Sequence, residues 1–399
     1  MNIFESYAKQ HSKKEKVNDF FRPSTPISNP SHLKGRDTEV ASILTNLNVS
    51  GRHCMIYGER GIGKSSLANA TVQGGVDHGI LKGEIFKIKC DTETKFKDIV
   101  SDCALFVNKN SEKYKEETVI KAGLGAKFLT FFSGTLGYEE KIVVERDEIT
   151  PRVASNVIGI IKGVLIIDEF DVVDEAVKRS VAEFIKQLSD SDSNLKILLV
   201  GISSDGKSLT AGHESVNRCL HEVYLAGVAD VHLEEIITLG ENGLKITFNK
   251  DVKDDIVDIS NGFPYFTHLL CKEASELAIT TDVNSINKEL FQNSIEKSVE
   301  NAEGRLMRDY ESAVRSSKTD VYKKILLSAS KFKNSEFSVQ QWVNQIYADT
   351  GIRYNNQSMS NYTGRLIKSD YGAIIRRLSR GVYKISDPRM PSYIRLANM

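Results

Sequence analysis

The chain's most chemically specific string is Gly58-Glu59-Arg60-Gly61-Ile62-Gly63-Lys64-Ser65. Glycines at this spacing let the backbone fold around an anion, so that its N–H groups point inward. Lys64 is spaced to reach the outermost phosphates of a polyphosphate, and Ser65 to offer a hydroxyl to Mg²⁺. The flanks agree. His53-Cys54-Met55-Ile56-Tyr57 is an apolar run suited to a buried strand, and Ser66-Leu67-Ala68-Asn69-Ala70 opens a helical pattern. A helix N-terminus behind the loop adds partial positive charge. Ser66 is counted with the loop as a cofactor-binding residue.

A second string complements the first. Gly163-Val164-Leu165-Ile166-Ile167 reads as a strand buried on both faces, and it ends in Asp168-Glu169-Phe170-Asp171. Ligands of open α/β sheets sit at the carboxyl ends of the strands. Asp168 is therefore expected to hold the Mg²⁺ shell, and Glu169 to polarise an attacking water. The pair of strings predicts a P-loop nucleoside triphosphatase.

The elements around these strings predict an α/β fold. Helical spacing of Val40, Ile43, Leu44 and Leu47 follows Leu33-Lys34-Gly35-Arg36. Strand-like runs at 85–90 and 195–204 alternate with helical patterns at 96–107, 153–161 and 175–188, as in a parallel sheet covered on both faces. Residues 110–152 read as a surface excursion with no assigned role. Residues 1–30 carry Pro23, Pro26 and Pro30 and read as an extended arm; Phe20, Phe21 and Ile27 are expected to pack on the domain that follows. Residues 31–228 form the P-loop core in this division. Residues 229–312 are helical, with Gly262-Phe263-Pro264 between two helices. Residues 313–399 hold three short helices and then two strand-like runs around Ser379-Arg380-Gly381, the outline of a winged helix-turn-helix.

With 40% hydrophobic and 27% charged residues, the 399-residue chain has ordinary globular composition. No apolar run approaches a membrane span and the N-terminus has no signal-peptide core, so no membrane association is expected. The five scattered cysteines form no C-x-x-C pair and predict buried, reduced thiols in a cytoplasmic protein. The net charge of zero conceals an asymmetry. From Lys318 onward there are 14 Lys and Arg against 5 Asp and Glu, a local charge of +9 on a body of −9. A basic segment of this kind suits a polyanionic partner.

Together these landmarks resemble the AAA+ superfamily, and within it the branch shared by origin-recognition-type ATPases and the signal-transduction NTPases with numerous domains (STAND). The residues that carry the resemblance are Leu33-Lys34-Gly35-Arg36, the phosphate loop, Asp168-Glu169, His213-Glu214-Ser215-Val216-Asn217-Arg218, and Asn261-Gly262-Phe263-Pro264-Tyr265. The resemblance implies ATP as the nucleotide, with the 31–228 core capped by 229–312 as a helical lid. It places Gly35 and Arg36 near the adenine, and Pro264 packed upon it. Ser203 or Ser204 would be the sensor of the γ-phosphate, where relatives more often carry Asn or Thr. Arg218 would be an arginine finger acting on a neighbour's nucleotide in a homo-oligomer.

For the C-terminal segment two readings stand. In one it binds DNA, through Ser360, Asn361, Thr363, Arg365 and Lys368 on its third helix and Arg376, Arg377 and Arg380 on the wing. In the other it is an internal latch that holds ADP. The first makes the protein an ATP-driven switch assembling on DNA or with a partner, in phage defence, mobile-element maintenance or replication. The second makes it a slowly hydrolysing regulator of a separate effector protein. A metabolic kinase would need an acceptor pocket, for which no motif is present.

Overall fold

The computed structural model describes residues 3–110, 149–203, 208–209, 216–315, 320–332 and 336–399. Most of the 110–152 excursion, Ser204 and His213-Glu214-Ser215 lie outside the described residues. The chain divides into two compact units. One comprises residues 26–59 and 64–226; the other comprises residues 1–25, 60–63 and 227–399.

The chain begins with a helix, α1 (Ile3–Phe20), where an extended arm was expected. The prolines at 23, 26 and 30 all lie beyond it, so they end the helix and do not prevent it. The segment 21–29 is free of helix and strand.

The first unit then runs α2 (Asp37–Leu47), β1 (His53–Gly58), α3 (Lys64–Asp77), β2 (Glu84–Lys89), α4 (Phe96–Lys109), α5 (Pro151–Ile158), β3 (Gly163–Asp168), α6 (Glu175–Asp190), β4 (Leu195–Ile202) and β5 (Leu220–Leu225). Its strands form one parallel sheet in the order β2-β3-β4-β1-β5. Parallel pairing needs crossovers, and the helices between strands supply them. β3 is buried along its whole length, because helices cover both faces. Register brings the strand ends level: Gly58 lies opposite Ile202 and Leu225, and Asp168 opposite Lys89. The phosphate loop and the Asp-Glu string thus open on the same carboxyl edge.

At the amino end of β1 a buried imidazole makes stability depend on pH. His53 Nδ1 accepts a hydrogen bond from the Ile197 amide at 3.0 Å, and Nε2 has no partner among the described residues. Burial, aided by the nearby Lys196 charge, pushes the imidazole pKa down from 6.5 to about 3. The unfolded chain therefore takes up this proton first. Stability is lost as pH falls below about 6.5, by about 1.4 kcal/mol per pH unit until the folded pKa is reached. Urea unfolding should show His53→Gln losing about 2 kcal/mol less than the parent between pH 7 and 5. Equal losses would remove His53 as the cause.

The second unit contains α1, α7 (Asp230–Leu244), β6 (Thr247–Phe248), α8 (Lys250–Ser260), α9 (Pro264–Thr280), β7 (Ser285–Ile286), α10 (Lys288–Asn301), α11 (Gly304–Val314), α12 (Val321–Ser330), β8 (Glu336–Ser338), α13 (Val339–Thr350), α14 (Asn356–Leu366), β9 (Ile375–Ser379), β10 (Val382–Ile385) and α15 (Met390–Leu396). α1 packs on α7 and α9. Phe20 and Phe21 press on Gly243 and Gly240 of α7, where any side chain would meet the rings. The aromatic pair expected on the following domain therefore belongs with helices far along the chain. β8, β10 and β9 make a three-stranded antiparallel sheet beside α12, α13 and α14. Trp342 is buried there and donates its indole N–H to the Ile325 carbonyl at 2.9 Å.

Candidate nucleotide site

β1 delivers the chain to Gly58, whose φ of +151° and closeness to β5 both demand glycine: a Cβ there would lie 2.6 Å from the Leu225 carbonyl oxygen. Gly61 and Gly63 have φ of +77° and +96°, and a Cβ on Gly63 would meet nothing within 4 Å. α3 begins at Lys64, so its first-turn N–H groups face the loop by helix geometry. Lys64 is buried, and its ammonium donates to the carbonyls of Gly58 at 3.2 Å and Glu59 at 2.7 Å. The loop is thereby wrapped around its own lysine. Ile62 of the loop is buried. Ser66 accepts a hydrogen bond from the Ile27 amide at 3.0 Å, tying the segment between Pro26 and Pro30 to α3.

The two strings meet directly. Ser65 Oγ donates to Asp168 Oδ1 at 3.0 Å, and the same oxygen accepts the Glu169 amide at 2.9 Å. Asp168 is buried at 4% exposure. Glu169 sits in the left-handed region, φ 54°, which turns the chain sharply off the end of β3. Its half-exposed carboxylate lies 3.2 Å from Lys89 of the neighbouring strand. Asp171 accepts the Ile202 amide at 2.8 Å and so anchors the end of β4, where Ser203 follows with its hydroxyl 2.6 Å from Ser208.

These residues fit a Mg²⁺–nucleoside triphosphate. A hydroxyl and a carboxylate oxygen side by side are the hard ligands Mg²⁺ takes alongside phosphate oxygens and water. The open direction at Gly63 lets a phosphate approach the backbone, and a buried ammonium stands at the loop.

Gly35 has φ +65° and starts the turn into α2. Arg36 is buried, with its guanidinium 3.1 Å from Glu39 and 2.8 Å from the Ala226 carbonyl. Burial lowers its pKa against the pull of Glu39. Arg36 thus ties the head of α2 to the end of β5. In the second unit, Pro264 occupies the first turn of α9 behind Asn261 and Gly262, both at positive φ, and the Val228 amide donates to the Gly262 carbonyl at 2.9 Å. Arg218 precedes β5, at the amino edge of the sheet. It pairs with Asp190 at 2.7 Å, both side chains being largely exposed.

Sequence reasoning missed one cluster. Glu303, between α10 and α11, pairs with Arg60 of the phosphate loop at 3.3 Å and with Arg389, which also binds Asp387 at 2.7 Å. Though burial alone would raise it, Arg389 holds the Asp387 carboxyl below the usual carboxylate range. These partners are far apart in sequence and match no local pattern.

On the basic segment the residues divide. Arg376, Arg377 and Arg380 on the β9–β10 hairpin are exposed, as are Ser360, Asn361 and Lys368. Thr363 is buried. Arg365 lies between the rings of Tyr322 and Tyr371, 4.2 Å from each, and donates to the Arg315 carbonyl at 2.5 Å. Thr363 and Arg365 therefore hold the helix in place, with Arg365 left only partly exposed.

Residues 48–205 match the family described as AAA domain. Among solved structures, the chain is similar to the Walker-type ATPase PABY2304 of Pyrococcus abyssi, at 18% identity over 93% of this chain and 99% of that one, with a TM-score of 0.54. The Aeropyrum pernix ORC2 protein aligns over 96% of both chains at 13% identity with a TM-score of 0.47. A Thermotoga maritima RuvB variant aligns over 90% of this chain and 95% of its own at 14% identity with a TM-score of 0.45. No curated protein sequence matches the chain.

Proposed function

Starting from an AAA-type P-loop ATPase core, we propose that the protein is an ATP-binding and ATP-hydrolysing switch of the STAND-like branch, cytoplasmic, assembling with itself. The observation that carries this reading is the Ser65–Asp168 hydrogen bond, with Lys64 and Glu169 beside it. Mg²⁺ bound there would neutralise charge on the β- and γ-phosphate oxygens. Lys64 would exchange its carbonyl partners for those oxygens, and Glu169 would orient the attacking water. Gly35, Arg36 and Pro264 are proposed for the adenine, and Ser203 for the γ-phosphate. Among the described residues no helix is long and apolar enough to cross a membrane, and the five cysteines are buried and unpaired. Lys64→Ala should abolish ATP binding in calorimetry; unchanged affinity in a folded variant would sink the site assignment.

We further read the helix–strand–helix–helix–hairpin succession after Asp320 as a winged helix that binds duplex DNA, supported by the exposed Arg376, Arg377 and Arg380. Phage defence, mobile-element maintenance and replication are the settings the resemblance implies. Binding through phosphates should fall steeply with salt, with a log–log slope of about −0.9 per phosphate neutralised. Replacing the three arginines together by Ala should flatten the slope by up to about three contacts. An unchanged slope would remove the hairpin from the interface.

The latch reading, in which the C-terminal segment restrains the nucleotide and the output passes to a separate effector protein, is favoured by one observation. The Arg389 side chain packs against Gly61 of the phosphate loop. Faster ADP release from the triple variant, with DNA affinity unaltered at low salt, would decide for it.

A further inference from the structure

We propose that Arg389 is a positioning residue of the phosphate loop and acts through Glu303 and Arg60. The proposal rests on the nucleotide-binding reading of residues 58–65 and adds a control to that site. Arg389 immediately precedes α15, and its side chain is only 3% exposed. Nε and Nη2 donate to the two oxygens of Asp387 at 3.1 and 2.7 Å, and the backbone amide donates to the same carboxylate at 2.9 Å. Nη1 donates to Glu303. The other Glu303 oxygen faces Arg60, and the Glu303 amide donates to the Tyr265 hydroxyl at 3.0 Å. Tyr265 adjoins Pro264, so the backbone at Glu303 is tied to the start of α9.

The stem of Arg389 completes the arrangement. Its Cδ lies 2.8 Å from where a Cβ on Gly61 would stand. Gly61 is therefore needed for its positive φ and for this close approach. The loop tip is held at two adjacent residues, by charge at Arg60 and by contact at Gly61. A planar guanidinium forked onto Asp387 cannot swing freely, so the contact at Gly61 is a rigid one. A loop ordered before its ligand arrives spares the ligand the loss of loop entropy. Removing Arg389 should free the tip and weaken nucleotide binding.

The test is stopped-flow release of fluorescent (methylanthraniloyl) ADP from the full chain. Arg389→Ala should release it about tenfold faster. Arg60→Ala should be faster by a smaller factor, and the double variant no faster than Arg389→Ala alone, because both act through Glu303. Arg389→Lys should recover part of the loss. In steady-state turnover KM should rise with kcat unchanged, as for lost uniform binding. A merely structural role would lower the melting temperature of the nucleotide-free protein and leave the release rate unmoved. Since Arg389→Ala takes the guanidinium from two partly buried carboxylates, Asp387 and Glu303, Glu303→Gln and Arg60→Ala give the same measurement should that variant not fold. Unchanged or slower release in the folded variants overturns the proposal. If the parent protein itself binds no fluorescent ADP, the nucleotide reading falls, and this one with it.

Discussion

Glu169→Gln protein should bind ATP as tightly as the parent and turn it over about a hundredfold or more slowly. The carboxylate stands half exposed beyond the end of β3, where the backbone turns through a left-handed residue. In the role proposed for it, Glu169 orients water and accepts a proton, and it does not grip phosphate. Glutamine keeps the shape and loses the basicity. Its surface pair with Lys89 contributes at most about 1 kcal/mol, so the fold should survive the change. Calorimetry and phosphate release on the same preparation separate the two roles. A folded Glu169→Gln variant that no longer binds ATP would contradict the assignment.

An effect of about a thousandfold or more on turnover is expected for Arg218→Ala, and only in assemblies. β5 runs from Leu220 beside His53 to Leu225 beside Gly58. Arg218 lies before its start, roughly 20 Å from the loop edge at about 3.3 Å per strand residue. It cannot reach its own chain's phosphates. Its exposed pair with Asp190 is weak enough to exchange for another anion. Mixing Lys64→Ala with Arg218→Ala protein should therefore restore some activity, since a mixed interface joins one intact loop to one intact arginine. Mixed oligomers without rescue would count against a role in trans.

Much of the sheet unit was legible because its signals are local. Continuous apolar runs at 53–57, 163–167 and 195–200 announce buried parallel strands, and acids or glycines stop each one at the edge where ligands sit. The meeting of Ser65 with Asp168 follows from two such runs being parallel. β5 was not legible: Leu220-His221-Glu222-Val223-Tyr224-Leu225 carries charge because it is an edge strand. The helix at 3–20 was obscured by prolines that lie just beyond it. The charge count of the basic segment says nothing about direction, and only tertiary packing turns Arg365 between two tyrosines. Glu303 and Arg389 are 86 residues apart. Their pairing belongs to topology, to which no periodicity points.

The place of α1 has a consequence for synthesis. Its partners α7 and α9 lie far downstream: the Arg22 amide meets His268, 246 residues later. At roughly 5–20 residues per second, the ribosome makes the helix and then takes on the order of ten to fifty seconds to make the surface that receives it. In that interval Phe20 and Phe21 have no glycine groove to enter. The nascent chain carries an unburied aromatic pair throughout the making of the sheet unit, so a chaperone that binds exposed aromatics has that whole interval in which to engage the end of α1.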